Sequence, residues 1–100
     1  MSNYLLAFRG RVEAEEAPAQ EEVWSKWFRD LGPAIVDYGH RVGRFCMVGS
    51  QGVVTEAGGA DPLTGYIVVK AEDLKSAVEL ANGCPILRAR GHVEVGETFD

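Results

Sequence analysis

The sequence is short of the residues on which catalysis and metal binding most often draw. It has two cysteines and two histidines in one hundred residues. Cys46 and Cys84 lack any metal-ligand spacing, and a single pair cannot build the disulfide framework of a small secreted domain. Both are expected to be reduced thiols, buried or half-buried, as free cysteines usually are. No metal and no other cofactor is expected. Positive charge is also scarce: ten Lys and Arg face fifteen Asp and Glu, a net charge of −5. That balance argues against nucleic acid, whose phosphates need a basic surface. Arg9 with Arg11, and Arg88 with Arg90, lack the aromatic interleaving of a single-strand binder. There is no Ser/His/Asp set and no phosphate-cradling glycine loop. No run of about 18 apolar residues offers a membrane span. MSNYLLAFRGRV has no basic leader ahead of its apolar run, so no signal peptide and a cytoplasmic location are expected.

What is present is globular patterning. Hydrophobic residues make up 46% and charged residues 25%, which a disordered chain would not show. Tyr4–Phe8 (YLLAF) is too short for a helix and reads as a buried strand. Gly10–Gln20 is acidic and alanine-rich, with Pro18 suited to a first helical turn. Val23, Trp24, Trp27, Phe28 and Leu31 then form one broad helical stripe, with Glu21 and Glu22 favouring the N-terminal dipole. Gly32-Pro33 stops that helix. The aromatic stripe reads first as a face packed on a sheet, and second as a ligand box. Ala34–Val42 reads as a second strand. Gly43–Thr64 is irregular and long enough to carry function or an interface, with Gln51–Thr55 as a short hairpin arm. Thr64–Val69 is a strong strand. Asp73 is a natural N-cap for a second helix with a stripe of Leu74, Ala77, Val78 and Ala81. Asn82-Gly83 is suited to a left-handed cap, and Pro85 prevents continuation. His92–Phe99 alternates as a last strand, with Val93 and Val95 on one side.

The order β-α-β-(arm)-β-α-β is that of an α+β, ferredoxin-like βαββαβ domain over residues 1–100, an antiparallel sheet with two helices on one face. The other face, with Tyr66 and Val68, has no helix to cover it. Chains seldom leave such a patch open, so a symmetric homodimer through the open sheet face is expected.

Gly65-Tyr66, Ala71-Glu72-Asp73, Ala77–Ala81, Cys84-Pro85 and Val93–Val95 together resemble the YCII-related family of small dimeric α/β-barrel proteins. YLLAF and the helix end at Leu31-Gly32 also fit. The resemblance implies a dimer with a cleft on the open sheet face. Some relatives use a His–Asp pair there, and one group removes chloride from chlorinated hydroxyquinones. This chain departs at both positions. The family histidine would fall near Gln20 or Glu21, and Cys84 stands where the family has Asp before Pro. The middle arm matches poorly: the Asp-Gly-Pro-Phe tract of one branch of the family has only a loose, shortened counterpart in EAGGADP (Glu56–Pro62).

The remaining polar candidates lie on strands. VDYGHRV (Val36–Val42) puts four reactive groups within five positions, but a regular strand would split them, Tyr38 and His40 on one face and Asp37 and Arg41 on the other. Gly39 is where a bulge would break this alternation. His92 and Glu94 share a face opposite Val93 and Val95, where an imidazole beside an acid suits proton transfer. Candidate catalytic residues are therefore His40, His92 and Glu94, with Tyr38, Arg9 and Tyr66 as candidate ligand-binding residues. Two functions fit. One is binding of a small organic molecule in a cleft by the sheet, with cofactor-independent acid–base catalysis. The other is a non-catalytic dimeric binding or assembly module, in which the histidines would be rim residues or interface hydrogen-bonders.

Overall fold

The computed structural model describes residues 1–10, 17–44, 46–55 and 62–99, with residues 17–20 and 53–55 described by their backbone alone. The acidic segment after Gly10 and the EAGGADP tract thus lie largely outside the described residues. The elements run β1 (Ser2–Arg9), α1 (Ala17–Leu31), β2 (Ile35–Arg41), β3 (Met47–Gly49), β4 (Gly52–Thr55), β5 (Leu63–Ala71), α2 (Leu74–Ala81) and β6 (His92–Glu97), with short 3-10 turns at Gly32–Ala34 and Pro85–Ala89. The main sheet has the order β2-β5-β1-β6, and every neighbouring pair is antiparallel. With two helices on one face this is the α+β, ferredoxin-like arrangement. The hairpin arm is β3 against β4, a separate two-stranded sheet that begins at Met47, earlier than the expected Gln51.

Strand alternation builds the core. Tyr4, Leu6 and Phe8 of β1 face Ile67, Val69 and Ala71 of β5 within one buried cluster that both helices cover. Val93 and Val95 extend it from β6, and Ile35 from β2. Burying a leucine- or isoleucine-sized side chain here contributes about 2 kcal/mol.

The helices meet this layer differently because their inner residues differ in size. On α2 the inward side chains are Ala77 and Ala81, fully or nearly buried, with Leu80 half-buried beside them. The expected stripe is thereby rotated: Leu74 and Val78 remain 52% and 41% exposed. Small alanines let the α2 backbone approach β1, β5 and β6 closely. On α1 the inward residues are Trp24, Trp27, Phe28 and Leu31. Trp27 packs on Phe8 with ring centroids 5.8 Å apart and an interplanar angle of 71°. These rings hold α1 off the sheet, and the space beside them becomes the candidate site.

Helix ends are largely as expected. Asp73 caps α2, its carboxylate accepting a 2.8 Å bond from the Ser76 N–H. Pro18 lies in the first turn of α1, and Gly32, with φ of 51°, follows its last residue. Two details differ. Helix α1 starts at Ala17, so Glu21 and Glu22 fall in its second turn, beyond the strongest reach of the terminal dipole. Asn82 at the C-cap of α2 is right-handed, with φ of −60° and ψ of −20°. The left-handed residue comes later, at Arg90 with φ of 64° after the second 3-10 turn. No helix among the described residues is long and apolar enough to cross a membrane.

Candidate functional site

A cleft of about 620 Å³ lies between α1 and the β2 edge of the sheet. Its helical wall is Glu21, Trp24, Ser25 and Phe28, which fall at i, i+3, i+4 and i+7 and so share one face. The opposite wall is the run Tyr38–Val42, and Phe8, Ile67 and Ile86 close the apolar interior. Trp24 stands edge-on to Phe8 at 5.0 Å and 67°. Phe28 stands edge-on to Tyr38 across the cleft at 6.2 Å and 78°. The aromatic stripe is therefore divided between core and cleft. Trp27 belongs to the core, whereas Trp24 and Phe28 show part of their surface to the cleft.

The strand wall is shaped by two irregularities. Ile35 is paired with Val69, Asp37 with Val68 and His40 with Tyr66, so β2 carries an extra residue in each interval. Gly39 takes φ of +63°, and its N–H donates to the Asp37 carboxylate at 2.8 Å. The expected split of VDYGHRV is thereby overturned. Across an antiparallel pair, opposed residues share a face, so Asp37 and His40 lie on the open face with Val68 and Tyr66. Tyr38 turns to the helix side, against Phe28, and Arg41, opposite buried Gly65, falls on that side too. The bulge at Gly39 is the cause, because one added residue inverts every later side chain. His40 and Tyr66 both contribute to the cleft lining, their rings 6.2 Å apart. Of the candidate residues, the structure brings together His40 and Tyr66, while Tyr38 stands apart from them with Phe28 on the helix side.

His92 and Glu94 lie elsewhere. Strand β6 is the far edge of the sheet from β2. His40, Tyr66, Ala7 and Glu94 form one cross-strand row, so His40 and Glu94 are separated by about 14 Å, three strand spacings. Glu94 instead accepts a hydrogen bond from Arg9 of β1. That bond, the Arg9 charge and, less strongly, His92 hold its carboxyl below the usual range. Arg9, His92 and Glu94 are thus a polar cluster at one end of the open face. At the centre of that face Leu5 opposes Val68, and Ala7 opposes Tyr66.

The thiols divide. Cys84 is buried as expected, and burial pushes its thiol up to about 12. Cys46 is exposed, against expectation, because it precedes the outlying β3–β4 hairpin rather than a core strand. Among the described residues no group of three or more His, Cys, Asp or Glu could hold a metal ion.

Sequence reasoning passed over Glu21 and Ser25 as wall residues. Their signal was their spacing with Trp24 and Phe28, which places polar groups on the flank of an apolar stripe.

A search among curated proteins finds none that matches significantly. The YCII-related domain, by contrast, matches residues 12–100, nearly the whole chain and both helices that cover the sheet, and the chain belongs to that family.

Proposed function

We propose that this protein binds a small organic molecule in the cleft between α1 and β2, with His40, on the edge strand that borders the cleft, as a proton-transfer group reaching it around that edge. The observation that carries this reading is the cleft itself. Its volume falls in the range of small-molecule sites, and aromatic side chains with a few polar groups line it, as such sites require. Imidazole is the side chain whose charge changes near neutral pH, which suits it to cofactor-independent acid–base chemistry. Tyr38, on the helix side with Phe28, would position the ligand, and Tyr66 packs beside His40. His92, Glu94 and Arg9 are the candidates for a second polar group only if another copy brings its β6 edge near this cleft.

A homodimer through the open sheet face is part of the proposal. Leu5, Ala7, Tyr66 and Val68 form an apolar centre there. Asp37 and His40 border it at one edge, and Arg9, His92 and Glu94 at the other. An apolar centre within a polar rim is the anatomy of an interface. The same face supports the second reading, a non-catalytic assembly module in the cytoplasm.

A ligand screen with small aromatic and carboxylic metabolites, repeated on Trp24→Ala, His40→Ala and His92→Ala, separates these readings. Binding that Trp24→Ala weakens and His92→Ala leaves intact supports the cleft. Equal binding by all four proteins, or none by any, removes the cleft from the function.

A further inference from the structure

The cleft has a charge pattern more specific than apolar binding requires. Glu21 stands on its helical wall and Arg41 on its strand wall, and neither has an ion-pair or hydrogen-bond partner among the described residues. The other charges near α1 are differently placed, since Lys26 pairs with Asp30 at 2.8 Å on the outer side of the helix. Trp24, Phe28 and Tyr38 line the same cleft. Tyr38 is 66% exposed although its ring touches Phe28, so a large apolar surface is left facing the opening. A ring inserted there gains offset or edge-on contacts with all three. An amine on that ring's substituent meets the carboxylate of one wall, and an acid group meets the guanidinium of the other, which binds carboxylates in bidentate fashion.

We infer that the cleft takes an aromatic zwitterion, a molecule carrying a planar ring, a protonated amine and a carboxylate, of the chemical class of the aromatic amino acids. This rests on the cleft being a small-molecule site, and it names the class of ligand. Glu21 and Arg41 are then specificity-determining residues, and the three aromatic side chains supply most of the affinity.

The test is calorimetric titration of the full chain with four probes that share one ring: L-tryptophan, tryptamine, indole-3-acetate and indole. L-Tryptophan is expected to bind about tenfold more tightly than tryptamine or indole-3-acetate, and these more tightly than indole, as one charge-assisted contact of this kind is worth about tenfold. Glu21→Gln should erase the advantage of L-tryptophan over indole-3-acetate while keeping its advantage over tryptamine. Arg41→Gln should do the reverse. Both side chains are exposed, so neither change threatens folding. If all four probes bind equally, the cleft is a ring site without charge selection; the inference falls and the binding function stands. Preference for tryptamine alone or indole-3-acetate alone also overturns it. If no probe binds, the inference falls, and the wider screen decides whether the cleft binds anything.

Discussion

A Cβ atom on Gly39 would stand 1.8 Å from the carbonyl oxygen of Tyr66, so β2 passes β5 here more closely than any side chain permits. The same glycine has a positive φ, and its amide is held by Asp37. Gly39→Ala must therefore displace the β2–β5 pairing as well as strain the backbone. A loss of at least about 2 kcal/mol is expected, from strain of order 1–3 kcal/mol plus the clash. Urea denaturation measures it, and a midpoint unchanged from wild type would show that the bulge is not required.

Leu6 is completely buried between β5, β6 and the helices. Leu6→Ala should cost about 2–5 kcal/mol, the lost transfer energy plus the cavity left behind. Leu74→Ala, by comparison, removes a side chain that is half exposed and should cost well under half as much. Paired denaturation curves test both. Equal losses would mean that α2 packs by its Leu74 face.

The two cysteines should differ in reactivity. Cys46 is exposed, whereas Cys84 is 2% exposed with its thiol pushed up to about 12. One equivalent of thiol is expected to react with an aromatic disulfide reagent at pH 8 in the native protein, and two after denaturation. Rapid reaction of both in native protein would contradict the burial of Cys84.

The Arg9–Glu94 pair predicts acid sensitivity. The folded-state pKa of Glu94 is depressed by the hydrogen bond and charge of Arg9. Its contribution is present above the unfolded value of about 4.3 and is lost as pH falls through the lower, folded value. Glu94 is largely exposed, so the effect is small and screened by salt. Glu94→Gln should flatten the acid limb of the stability profile and leave its slope above pH 7 unchanged. An identical acid limb in the variant would remove the pair from the account.

The open face predicts self-association. Leu5→Glu places a charge at the apolar centre beside Val68 and should convert a dimer to a monomer in analytical ultracentrifugation. A wild-type protein that sediments as a monomer at all concentrations would contradict the proposed interface.

Local pattern alone carried much of this protein. The short apolar run YLLAF, the alternation in HVEVGETF, the aromatic stripe of α1, the Asp73 cap and the stop at Gly32 each depend on neighbours within one turn or strand pair. The element order then allowed few arrangements other than a four-stranded antiparallel sheet with helices on one face. What the tertiary structure decided depends on the distance between elements. The size of the α1 side chains against the alanines of α2 determined that one helix stands off and leaves a cleft. The left-handed bulge at Gly39 inverted the faces of VDYGHRV, sending Tyr38 and Arg41 toward α1 and leaving Asp37 and His40 beside Tyr66. Strand order placed His92 and Glu94 on the edge opposite His40, because sequence proximity to a strand says nothing of which edge that strand will occupy. Glu21 and Ser25 became wall residues only when α1 turned its flank toward β2.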